Sequence, residues 1–125
     1  MPAISLLTGG IRVIPEFDVP SHTYPSWDPV GVRAGNSTLL ASCSSYPFGF
    51  LRVDRDSTYD FLRTLLGDVS KAFPDKVYNI GGDEMNNACW NQSADVARFM
   101  QAKQFNGSQL TGYFAKKLFG IVEDR

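Results

Sequence analysis

Two acidic residues stand side by side at Asp83-Glu84, directly after Asn79-Ile80-Gly81-Gly82. A second polar group, Glu16, Asp18 and His22, follows the apolar run 11–17. Adjacent carboxylates suit cleavage of a glycosidic bond, where one acid keeps its proton until it meets the leaving oxygen and another group steadies the positive sugar. An ionised Asp83 raises the pKa of Glu84 by like-charge repulsion, and burial would raise it further. The plainer alternative is that Gly81-Gly82 makes a turn which Asp83 caps; spacing alone does not separate the two. His22 is the one histidine in the chain. It is either an orienting partner for Glu84 or an ordinary loop histidine. His22, Asp18, Asp83 and Glu84 as metal ligands would follow no ligand-spacing motif, so neither metal nor cofactor is expected. Trp27 is a candidate for stacking on a sugar ring, whereas Trp90 reads as core.

These side chains need elements to hold them. The segment 11–17 reads as a buried strand, with Pro15 near its exit. From Asp18 to Asp56 there is no helical or alternating period, but Pro, Gly, Ser and aromatic residues abound, so a long functional loop is expected. Ser57, with Asp60 three residues on, predicts the start of a helix. Leu62, Leu65, Leu66, Val69 and Phe73 form its apolar face, and Pro74 stops it. Segment 77–80 predicts a second strand ending at Gly81-Gly82. Ser93 opens a further helix bearing Val96, Phe99 and Met100, which Asn106-Gly107 breaks. Leu110, Phe114, Leu118 and Ile121 mark the last helix. This alternation predicts an α/β fold with a parallel sheet, whose functional groups gather at the C-terminal strand ends. Two parallel strands leave both edges unpaired, so the chain reads as part of a larger domain.

Composition narrows the classes. With 125 residues, 43% hydrophobic and 20% charged, the chain fits one globular domain or a piece of one. Its net charge of -1, with no basic stripe, gives no footing for nucleic acid. No apolar run is long enough to span a bilayer, and the N-terminus does not read as a signal peptide. Yet three sequons, at Asn36, Asn91 and Asn106, beside two cysteines, Cys43 and Cys89, lean towards a secretory or lysosomal route.

The ordered set Gly10-Ile11-Arg12-Val13-Ile14-Pro15-Glu16-Phe17-Asp18-Val19-Pro20-Ser21-His22-Thr23, Ser26-Trp27, Thr58-Tyr59-Asp60-Phe61-Leu62, Phe73-Pro74-Asp75, Asn79-Ile80-Gly81-Gly82-Asp83-Glu84 and Cys89-Trp90 resembles glycoside hydrolase family 20. Within it, the set looks like the β-N-acetylhexosaminidases of the lysosomal hexosaminidase type. The resemblance implies a (β/α)8 TIM barrel, of which residues 1–125 would be the third and fourth βα units. It implies substrate-assisted retaining hydrolysis of glycans ending in N-acetylglucosamine or N-acetylgalactosamine. Glu84 would be the general acid/base, and Asp83 would orient the substrate's own 2-acetamido group as nucleophile. His22 would support Glu84, with Asp18 and Trp27 nearby. Cys43 and Cys89 would be bridged, a dimer of the full-length parent is allowed, and a signal peptide would lie upstream of Met1. Ser21 departs from the family's usual glycine. Because a barrel of this kind needs roughly 250 residues, the isolated chain is expected to be poorly stable and inactive. The competing functions are a non-catalytic carbohydrate-binding or interaction remnant of that family and a metal-dependent hydrolase.

Overall fold

The structure is a computed structural model, and it describes residues 9–23, 27, 37–41, 49–73, 77–83 and 87–124. Among the described residues four helices follow in order: α1 (Asp56–Ala72), α2 (Asn87–Gln92), α3 (Ala94–Lys103) and α4 (Gly107–Glu123). α1 forms where the sequence predicts, and turns Thr58, Tyr59, Leu62, Leu66 and Val69 inward. Its start differs from the expectation: Arg55 is the N-cap, no side chain caps it, and Ser57 lies inside the first turn. Asp56 in that turn is instead held by the Lys117 ammonium of α4 at 2.8 Å. Phe73 closes α1, and Pro74 follows it. Pro74 lies outside the described residues, as do Asp75 and Lys76.

Ser93 is the N-cap of α3, and the helix ends at Lys103, with Gln104 in the left-handed region. Asn106 therefore does not break α3. It opens α4 through a reciprocal capping box, accepting from the Gln109 amide at 2.9 Å while its own amide donates to Gln109 Oε1 at 2.8 Å. Leu110, Phe114, Leu118 and Ile121, spaced for one helical face, are all buried. α1 and α4 pack together through Tyr59, whose ring lies 6.1 Å from Phe114 and 6.4 Å from Tyr113. Helix α2, which carries Cys89 and Trp90, was not foreseen; its six residues are too few for a periodic signal.

The two expected strands shrink to a single parallel bridge, Glu16 with Asn79. Around it the Phe17 amide donates to the Asn79 carbonyl at 3.0 Å, the Val19 amide to Ile80 at 3.3 Å, and the Asn79 amide to Pro15 at 3.0 Å. The expected burial of 11–17 also fails: Ile11 is 56% and Ile14 45% exposed, and Val77 across the pair is 43% exposed. Of the two segments Phe17 and Ile80 pack against the core, and Val19, just past the first, lies within it. A parallel pair is normally buried by further strands and by helices on both faces. Among the described residues no third strand extends this ladder.

The presumed loop 18–56 contributes more to the core than a loop should. Leu40 and Leu51 form an antiparallel bridge, with the Ala41 amide donating to Phe50 at 2.7 Å and the Arg52 amide to Leu39 at 2.8 Å. Phe50, Leu51 and Val53 are fully buried. Side chains from the helices then satisfy three successive carbonyls there. Trp90 Nε1 donates to Leu51 at 3.2 Å, Thr58 Oγ1 to Arg52 at 2.7 Å, and the Tyr59 hydroxyl to Val53 at 2.8 Å. Buried carbonyls need such partners, and here they lock a non-helical segment beneath two helices.

Candidate active site

The site is built on the paired segments 15–19 and 79–83. Asn79 organises its floor. Its Nδ2 donates to Glu16 Oε2 at 2.6 Å, and its Oδ1 accepts from the Gly81 amide at 3.0 Å, an Asx turn that starts the change of direction. Gly81 has φ 62° and Gly82 φ 103°, both in the region that favours glycine. A Cβ on Gly81 would fall within 2.6 Å of the Asp18 Cα. The close approach of the two segments therefore requires glycine at 81.

Asp18 binds the turn from the other side. Its Oδ1 accepts from the Gly82 amide at 2.8 Å and from the Asp83 amide at 3.2 Å. Its Oδ2 lies 3.7 Å from His22 Nε2, a contact that becomes an ion pair when the imidazole is protonated. His22 has φ 58°, a left-handed conformation in which histidine is enriched but which still costs about 1–3 kcal/mol when strained. Ser21 beside it is fully buried, and its hydroxyl donates to the Asp83 carbonyl at 2.5 Å. Asp83 itself is exposed, and so is His22.

The described geometry thus links Asp83, Asp18 and His22 on one rim, with Asp18 in the middle. Chemically, this rim offers a solvent-facing carboxylate and an imidazole, both carried on backbone that carboxylate and hydroxyl groups fix in place. Glu84 lies outside the described residues, as do Cys43 and Asn36. Trp27 is directed elsewhere: its ring packs 5.4 Å from Phe61 of α1, and it lines a cavity of about 350 Å³ with Thr38, Leu39, Ser57 and Phe61. Trp90 is core, fully buried and edge-on to Phe50 at 6.0 Å. Cys89 is also fully buried, and no described cysteine is free. Asn91 and Asn106 are exposed. Among the described residues, no three histidine, cysteine, aspartate or glutamate side chains converge as metal ligands would, and no helix is long and apolar enough to cross a membrane.

Two residues of the rim escaped the sequence reading as site members. Asn79 could have been found, because Asn two residues before a glycine is an Asx-turn signal. Ser21 could not, since its partner is 62 residues away.

Residues 7–125 match the glycosyl hydrolase family 20 catalytic domain. The chain is 39% identical over 121 residues to the mouse (Mus musculus) β-hexosaminidase subunit alpha, covering 92% of this chain and 22% of that protein. It is 39% identical over 120 residues to the cat (Felis catus) subunit beta, covering 90% of this chain and 22% of that protein. It is 37% identical over 118 residues to β-hexosaminidase subunit A2 of Dictyostelium discoideum, covering 93% and 21% respectively. The chain thus spans about a fifth of the length of the curated relatives it matches. With the match to the catalytic domain running through nearly all of its residues, the chain belongs to glycosyl hydrolase family 20.

Proposed function

We propose that this chain carries the catalytic strand ends of a β-N-acetylhexosaminidase acting on glycans that end in N-acetylglucosamine or N-acetylgalactosamine. The observation that carries this reading is the linked rim of Asp83, Asp18 and His22, within a chain whose curated relatives are named β-hexosaminidase subunits. In this mechanism Glu84 protonates the glycosidic oxygen. Asp83 orients the substrate's acetamido group, whose carbonyl oxygen attacks the anomeric carbon, so no opposed protein carboxylate is required. Water then opens the cyclic intermediate, with Glu84 taking back the proton. His22 supports Glu84, and Asp18 ties His22 to the turn.

The remaining parts of the proposal concern the setting. Residues 1–125 are the third and fourth βα units of a TIM barrel, a placement supported by the parallel pairing of 15–19 with 79–80. A Cys43–Cys89 bridge is supported by the burial of Cys89 and its lack of a free thiol. Glycans on Asn36, Asn91 and Asn106 suit a lysosomal or secreted protein, as does the kinship with the hexosaminidases. Assembly as a dimer belongs to the same reading.

The test is hydrolysis of a chromogenic N-acetyl-β-glucosaminide by the protein as its own cells make it. Turnover is expected to peak at mildly acidic pH, where the donor holds its proton while its neighbour is ionised. Glu84→Gln should lower kcat by at least roughly a hundredfold with little change in binding. Undiminished turnover in that variant would remove Glu84 from the role of acid.

A further inference from the structure

We infer that Ser21 is a positioning residue for this hydrolysis: its hydroxyl, through the Asp83 carbonyl, holds the Gly81–Asp83 turn against the Asp18–His22 loop. The inference rests on the proposed hydrolase reading and adds to it a residue that touches neither the substrate nor the acid.

The turn that presents Asp83 has little to fix it from within. Gly81 and Gly82 both sit at positive φ, and glycine visits many conformations at similar energy. Asn79 Oδ1 holds the Gly81 amide where the turn begins, and the described holds on its far end, at Gly82 and Asp83, come from one loop. Asp18 Oδ1 takes the amides of Gly82 and Asp83 at 2.8 and 3.2 Å. Ser21 Oγ donates to the carbonyl of Asp83 at 2.5 Å. Residue 83 is thus held at its N–H and at its C=O by side chains three positions apart, and this fixes the direction of its Cα–Cβ bond. Ser21 is fully buried on the loop side of the bond while Asp83 is exposed, so removing the hydroxyl takes away the one described hold on the Asp83 carbonyl that is anchored in the interior. Ser21 also neighbours His22, so the same bond ties the imidazole-bearing loop to the carboxylate-bearing turn. A group that must meet a substrate within a fraction of an ångström loses rate rather than affinity when its mount loosens.

The experiment compares the unsubstituted protein with Ser21→Ala in two ways. One is kcat and KM on a chromogenic N-acetyl-β-glucosaminide; the other is amide hydrogen exchange at Gly82 and Asp83. The expected result for Ser21→Ala is a fall in kcat of roughly tenfold with KM within about twofold, and exchange at Gly82 and Asp83 faster by a similar factor, while α1 and α4 keep their protection. Unchanged kcat and unchanged exchange in Ser21→Ala would overturn the inference. So would a general rise in exchange that includes α1 and α4, since Ser21 would then serve the fold as a whole. Exchange needs no substrate. Absence of hydrolysis in the unsubstituted protein would therefore overturn the hydrolase reading, while the two amides would still decide whether Ser21 holds the turn.

Discussion

The rim and the helical base of this molecule are held by different forces. At the base, Phe50, Leu51, Val53, Leu62, Trp90, Leu110 and Leu118 are almost wholly removed from water, and each such side chain contributes about 1.5–3 kcal/mol of burial. Polar groups there are satisfied inside: Thr58, Tyr59 and Trp90 cover three carbonyls, and Arg52 forks onto Asp54 at 2.6 and 3.1 Å while reaching Asp95 at 2.8 Å. At the rim, Ile11, Ile14 and Val77 are exposed, and the segments are joined by one bridge and a handful of hydrogen bonds from Asn79, Asp18 and Ser21. Stability resides in the first region and the chemistry-bearing residues in the second. A rim of this kind can change shape without unfolding the base, so its geometry depends on individual polar contacts rather than on bulk packing.

Three substitutions or conditions sharpen this contrast. The largest effect on stability should come from Trp90→Ala, which empties a fully buried site and strands the Leu51 carbonyl. A loss of about 3–5 kcal/mol is expected, lowering Tm by roughly 10 °C or more. A shift of only a degree or two in calorimetry would show that the base is not the stable half.

Gly81→Ala should do the reverse. The new Cβ would collide with Asp18, and φ 62° disfavours any side chain, a local cost of about 1–3 kcal/mol. Because the rim opens separately from the base, exchange at Gly82 and Asp83 should rise and hydrolysis should fall while Tm moves by only a few degrees. A drop in Tm as large as that of Trp90→Ala would merge the two regions into one cooperative unit.

The smallest effect is on acid stability. Hydrogen bonding from Arg98, then the charge of Arg52, holds the Asp95 carboxyl below its ordinary 3.8. Hydrogen bonding from Lys117 does the same for Asp56. A carboxylate whose folded pKa is depressed stabilises the fold fully above its unfolded pKa, and that contribution disappears as pH falls through the folded one. Tm should therefore decline between about pH 4 and pH 2, and Asp95→Asn should flatten the decline. Equal slopes for the two proteins would mean that the Arg52, Arg55 and Arg98 contacts of Asp95 add nothing at the base. Lys117 shifts the other way: burial pulls its ammonium pKa down, but hydrogen bonds to Asp56 and Tyr113 outweigh that and the net change is upward.

The pattern of legibility follows the same division. α1 and α4 could be read because Leu62, Leu66 and Val69, and then Leu110, Phe114, Leu118 and Ile121, repeat at helical spacing, and spacing is a local property. Ser57 misled as a cap because Ser-x-x-Asp marks a helix start only when no nearby contact sets it elsewhere; here Thr58 and Asp56 are engaged by Arg52 and Lys117. The contribution of 49–53 to the core was invisible because its partners, Leu40, Pro20 and Trp90, lie far off in the chain.

The amino-acid order by itself determined the kind of chemistry on offer and the family motifs that carry it: a glycine pair leading into two acids, a lone histidine after an acidic strand end, and the apolar faces of α1 and α4. Folding alone decided which of these residues meet. It brought Asp18 onto the Gly82 and Asp83 amides across more than sixty positions, set Ser21 beneath the Asp83 carbonyl, and sent Trp27 to Phe61 instead. Contacts between distant segments depend on how every intervening element packs, and no local pattern of residue types encodes that sum.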